Sequence, residues 1–110
     1  MKADERVNIL LVDDQPGKLL SYEAMLSELG ENLIRATSAS EALEQLLRIE
    51  IAVVLIDVCM PELDGFELAS MIRAHPRYQK TAIILVSAVL INDVYRLKGY
   101  HAGAVDYVGV

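Results

Sequence analysis

The chain reads as an α/β fold, a doubly wound parallel sheet of five strands, on three observations. Short apolar runs alternate with amphipathic stretches along the chain, the pattern of repeated βαβ units. Apolar residues make up 54% of the sequence, as a sheet buried on both faces requires. Most of the apolar runs end in turn residues or carboxylates. At 110 residues there is length for one small domain with a single core.

The first strand runs Val7 to Val12 and is followed by a turn at Gln15-Pro16-Gly17. Leu19, Tyr22, Leu26 and Leu29 then recur at helical spacing before Gly30 ends the helix. A shorter, more polar strand covers Asn32 to Ala36. Ser38-Ala39-Ser40-Glu41 fits a capping box and opens a helix with Leu43, Leu46 and Leu47 inward. The third strand is Ala52 to Asp57. Beyond Pro61, Asp64 caps a third helix with Glu67 at the reciprocal position and Phe66, Ala69 and Ile72 on the core side. His75-Pro76 stops it. Thr81 to Val86 is the fourth strand, Asn92 to Tyr100 a weaker helix, and Ala104 to Val108 the fifth strand. Met25 and Met71 read as core filler. A fifth helix is absent from this alternation, so the sequence reads as truncated at its C-terminus. A bare apolar strip is expected near Val105 and Tyr107, favouring self-association.

Charge and composition narrow the function. The formal charge is −6 with no lysine or arginine cluster, so the electrostatic term that drives nucleic-acid binding opposes it. The apolar stretches Ile51 to Val58 and Ala82 to Ile91 fall short of the ~18 residues of a membrane helix. Cys59 is the one cysteine, so no internal disulfide forms, and Met1-Lys2-Ala3-Asp4-Glu5-Arg6 lacks the basic-then-apolar layout of a signal peptide. A cytoplasmic setting is expected.

The chemistry concentrates where strands end. Asp13 and Asp14 close the first strand, Asp57 closes the third, and Ser87 follows the fourth. Ligands in open parallel sheets bind beyond the carboxyl ends of strands. Grouped carboxylates repel one another unless a cation or proton compensates. Three oxygen donors without a histidine or cysteine cluster suit a hard cation, best magnesium, which keeps waters and shares its sphere with phosphate oxygens. Asp57, alone at the end of the central strand, is placed to attack phosphorus, and Ser87 to donate a hydrogen bond to a phosphoryl oxygen.

Read together, the acidic pair, Asp57-Val58-Cys59-Met60-Pro61-Glu62-Leu63-Asp64-Gly65, Ser87-Ala88 and Gly103-Ala104-Val105-Asp106-Tyr107 resemble the receiver domain of two-component response regulators over essentially the whole chain. The resemblance implies a flavodoxin-like sheet of order 2-1-3-4-5. It implies that Asp57 accepts a phosphoryl group from the phosphohistidine of a histidine kinase or phosphotransfer protein. Asp14 and Asp57 would ligate magnesium directly, Asp13 through water, and the Cys59 backbone carbonyl would add a ligand. Ser87 would couple to inward rotation of Tyr107, altering the surface of the fourth helix and fifth strand that a partner or output domain reads. A homodimer through that surface, with Tyr95, Tyr100 and Tyr107 as contacts, follows as a family-like expectation.

One position departs from the pattern. The family carries a phosphoryl-pairing lysine where this chain has Val110, either because the lysine is lost or because truncation at this end obscures the position, and Lys98 is a poor substitute. Two alternatives therefore stand beside the phospho-switch. One is a phosphorylation-independent pseudo-receiver that serves as an interaction module, favoured by Val110 and disfavoured by the intact acidic triad. The other is a magnesium-dependent phosphatase on the same sheet, which needs a general acid or base that the sequence does not offer. His75 and His101 read as ordinary surface or helix-end histidines, Glu62 and Asp64 as loop and cap residues.

Overall fold

In a computed structural model of the chain, five parallel strands lie in the order β2-β1-β3-β4-β5. They are β1 (Asn8–Val12), β2 (Asn32–Ala36), β3 (Val53–Asp57), β4 (Ala82–Ser87) and β5 (Asp106–Gly109). The structure describes residues 6–60, 64–87, 98, 100–104 and 106–109, with only the backbone of 107–109. β1 pairs with β2 on one side and with β3 on the other. The chain order reverses there, and the loops leaving the two strands diverge to open a crevice at their carboxyl ends.

Alternation along each strand divides the side chains between two faces. Leu10, Val12, Val54, Ile56, Ile83 and Leu85 join the larger core together with residues of α2 (Ala39–Arg48) and α3 (Gly65–Ala74). Ile9, Leu11 and Val86 face the other way, with Leu19 and Tyr22 of α1 (Pro16–Leu26) and the partly buried Leu33, Val53 and Leu55. Helices on both faces explain why the strands read as continuous apolar runs.

The sequence reading holds for β2 to the residue and for the other strands within one or two residues at each end. Proline at the first position opens α1. Ser38 Oγ accepts from Glu41 N at 3.1 Å, as a capping box requires, but the Glu41 carboxylate returns to Thr37 N at 3.0 Å and not to Ser38. Asp64 Oδ1 accepts from Glu67 N at 2.8 Å and caps α3, whose Phe66, Ala69 and Ile72 are buried as expected.

Four inward assignments are corrected. Leu29 and Leu47 are each 60% exposed, and Met25 and Met71 also face solvent. After Leu26 the first helix tightens into a 3-10 turn, which rotates Leu29 off the buried face. Leu47 lies a residue beyond Leu46, about 100° further round the helix, while Ala39 and Ala42 share the buried stripe with Leu46 and let α2 approach the sheet closely.

Arg73, in the last turn of α3, donates to Gly103 O through Nε (3.1 Å) and Nη2 (2.9 Å), and through Nη1 to Tyr78 O and Gln79 O. Gly103 adopts φ +100°, and a Cβ there would lie 2.7 Å from Arg73 Cγ, so glycine is required by both conformation and space. This clamp fixes the turn that leads into β5.

Lys98, Tyr100 and His101 are helical, with Ala102 N donating to Lys98 O at 3.0 Å. The other residues of the helix expected from Asn92 to Tyr100, Tyr95 among them, lie outside the described residues, as do Val105, Val110 and the Tyr107 side chain, and with them the bare strip and the lysine position. Among the described residues no helix is long and apolar enough to cross a membrane.

Candidate functional site

Parallel pairing brings the ends of β1, β3 and β4 to one edge. Asp13 extends the ladder past β1, its N–H donating to Ala36 O at 3.1 Å. Asp57 is the last residue of β3 and pairs in register with Val86, one residue before Ser87. Ligand oxygens of Asp13, Asp14 and Asp57 lie within 4.8 Å of one another. Asp13, Asp57 and Ser87 are buried, and Asp14 is partly so.

Strand parity determines which helix the acids meet. Asp57 shares its alternation with Val53 and Leu55, and Asp13 with Ile9 and Leu11, so both fall on the face covered by α1. Tyr22 of α1 donates its hydroxyl hydrogen to Asp13 Oδ2 at 2.9 Å. Asp13 Oδ1 accepts from Gln15 N at 2.9 Å, a local turn that starts the helix. Both oxygens of Asp13 are therefore engaged within the protein. Burial, and then the bond to Asp13, raises the Tyr22 hydroxyl pKa well above the ordinary tyrosine value, so it remains a donor at neutral pH.

The other two acids are less satisfied. Asp57 Oδ1 accepts from Cys59 N at 3.2 Å. Asp57 Oδ2 and Asp14 Oδ1 are buried with no hydrogen-bond partner, although Lys18 Nζ stands 3.9 Å from Asp57 Oδ2. Burial pushes the Asp57 carboxyl up from its ordinary range, and Asp13 and Asp14 push the same way, against the pull of the Cys59 N–H and Lys18. Buried carboxylate oxygens without hydrogen-bond donors fit a hard divalent cation.

Gly65 positions the loop beneath the site. A Cβ at Gly65 would lie 2.5 Å from the Asp57 carbonyl oxygen, so only glycine lets the start of α3 rest against the end of β3. Its N–H donates to Val58 O at 3.1 Å. Cys59 is an exposed loop residue. Of the site residues read from sequence, Asp13, Asp14 and Asp57 converge, and Ser87 ends the neighbouring strand on the same edge. The Tyr107 backbone lies in β5, paired with Leu85.

Sequence reasoning missed Lys18 and the Tyr22–Asp13 bond. Both were within reach of parity: a helix starting two residues after Asp14 runs back over the face to which Asp13 and Asp57 point. A cleft of about 770 Å³ sits at the opposite, amino ends of the strands, between Leu46 and Ile49–Ala52 on one side and Pro76–Thr81 on the other, away from the acids.

The sheet is flavodoxin-like and carries an acidic triad at its switch point, with Asp13 and Asp57 buried and Asp14 partly so. The sequence matches the response regulator receiver domain over residues 9–109, and the chain belongs to that family. It is 33% identical over 101 residues to response regulator Rre1 of Synechocystis, covering 90% of this chain and 43% of that protein. It is 33% identical over 109 residues to the transcriptional regulatory protein GltR of Pseudomonas aeruginosa, covering 99% of this chain and 44% of the relative. The chain thus spans under half the length of these relatives. The N-terminal domain of a response regulator receiver protein from Methanoculleus marisnigri superposes with a TM-score of 0.84 at 28% identity, over 93% of this chain and 82% of that one. Receiver domains are signalling modules that work with histidine kinases and output domains. Two-component signalling is therefore the setting of this domain.

Proposed function

We propose that the domain is a phosphorylation switch in which Asp57 accepts a phosphoryl group in a magnesium-dependent reaction. The observation that carries this reading is Asp57 Oδ2, a buried carboxylate oxygen with no hydrogen bond, at the end of the central strand beside two further acids. In the reaction this oxygen bonds to phosphorus as the bond from phosphorus to the donor imidazole nitrogen breaks. The electron pair leaves with that nitrogen, which takes up a proton. The donor is the phosphohistidine of a histidine kinase or phosphotransfer protein.

Asp14, through its unpartnered Oδ1, and Asp57 are the residues to hold magnesium directly. Asp13, both of whose oxygens accept hydrogen bonds within the protein, would contribute through water, and the Cys59 carbonyl would add a ligand. Bound there, the ion would neutralise charge on the carboxylates and on the phosphoryl oxygens. Ser87 donates its hydroxyl to the phosphoryl group, and Tyr107 relays the change to the surface that an output domain, effector or second copy reads. A cytoplasmic setting belongs to this reading.

The test is incubation with acetyl phosphate and magnesium, read by intact mass. One phosphoryl group on the native chain and none on Asp57→Asn is the expected result. If neither chain gains mass while magnesium still binds, the domain is a pseudo-receiver and the proposal is wrong.

A further inference from the structure

We propose that Lys18, from the first turn of α1, is the cation of this site that holds the phosphoryl group on Asp57. The assignment rests on the phosphorylation reading above and adds to it a residue from an unexpected element. Its ammonium lies 3.9 Å from Asp57 Oδ2, the oxygen that would carry phosphorus. A phosphoryl oxygen sits beyond Oδ2 by two bonds, so the same ammonium, a third exposed and on a flexible stem, reaches it by rotation of the side chain alone.

Two further observations support the placement. Lys18 is the third residue of a helix whose first turn carries no acidic side chain. The partial positive charge of a helix N-terminus disfavours a lysine there, so its position is explained by the carboxylate it faces. The charge balance also closes. Three carboxylates and one ammonium leave a formal charge of two negatives, which one magnesium ion cancels. Phosphoryl oxygens arriving afterwards need a further cation, and Lys18 is then released from Asp57 to meet them. It brings from the first helix a positive charge that Val110 lacks.

A lysine that pairs with Asp57 at rest and with phosphate afterwards affects two equilibria in opposite directions. In the resting domain it competes with magnesium for the Asp57 carboxylate. Lys18→Met should therefore bind magnesium alone several-fold more tightly, by isothermal titration. The same variant should take up phosphate from acetyl phosphate at saturating magnesium about 10- to 100-fold more slowly, the loss expected for a hydrogen bond to a charged group. Lys18→Arg should restore most of the rate. A variant that was merely damaged would weaken in both assays.

Wild-type kinetics and wild-type magnesium affinity in Lys18→Met would overturn the assignment and leave the phosphorylation reading standing. Failure of the native chain to gain phosphate would overturn the reading and Lys18's role with it.

Discussion

The Tyr22 hydroxyl donates a 2.9 Å hydrogen bond to Asp13 Oδ2 inside the protein, and this bond joins the first helix to the acidic edge of the sheet. It separates the three acids into one that is held by the fold and two that face the site. Asp13 is fully buried and has its other oxygen bonded to Gln15 N, so removing the hydroxyl leaves a buried carboxylate oxygen without a donor. Tyr22→Phe is therefore expected to lower stability by about 1–3 kcal/mol in urea unfolding without magnesium. A loss below about 0.5 kcal/mol, the range of ordinary surface substitutions, would mean that the bond contributes nothing.

Asp57 titrates against the fold. Burial first, and then Asp13 and Asp14, raise its pKa in the folded state above the unfolded value. Between those two values the folded chain binds the extra proton, so stability falls as pH rises through the window and is level above it. Asp57→Asn removes this dependence. In magnesium-free buffer the variant should match the native chain below the ordinary carboxylate pKa and exceed it in stability at neutral pH. Urea unfolding across that range checks the sign, and a difference independent of pH would show that Asp57 does not titrate in this way.

Gly65 couples the third helix to the site. Because a Cβ at this position would meet the Asp57 carbonyl oxygen at 2.5 Å, Gly65→Ala must push α3 away from β3 or displace Asp57. Overpacking of this kind costs about 1–3 kcal/mol. Magnesium titration of the variant should show weakened binding as well, since the displaced strand end carries Asp57, one of the acids of the proposed magnesium site. Lost stability with unchanged magnesium affinity would place the adjustment in the helix alone.

Much of the site was legible because carboxylates at strand ends are costly and apolar runs mark the strands. Asp13, Asp14 and Asp57 needed only the parallel-sheet topology to converge. The Lys18–Asp57 pair was less visible, because a lysine in a first turn looks like any solvated side chain until strand parity shows which face Asp57 shares with α1. Buried and exposed leucines on the helices were also misjudged where a helix tightened or small residues took the inner stripe. Ala39 and Ala42 are buried in α2 while Leu47 is not. Hydrophobicity alone does not determine the angular position of a stripe that alanine can complete.

The neighbours Leu46 and Leu47 make that distinction measurable. Leu46 is 1% exposed in the larger core, and Leu47 is 60% exposed. Leu46→Ala removes buried methyl groups and leaves a cavity between α2 and the sheet, so a loss of about 2–5 kcal/mol is expected. Leu47→Ala removes apolar surface from water, and alanine is the better helix former, so its effect should stay within about 0.5 kcal/mol. Paired urea unfolding curves decide the matter. If Leu47→Ala costs as much as Leu46→Ala, then α2 presents a wider face to the core, and the inward assignment of Leu47 made from helical spacing is restored.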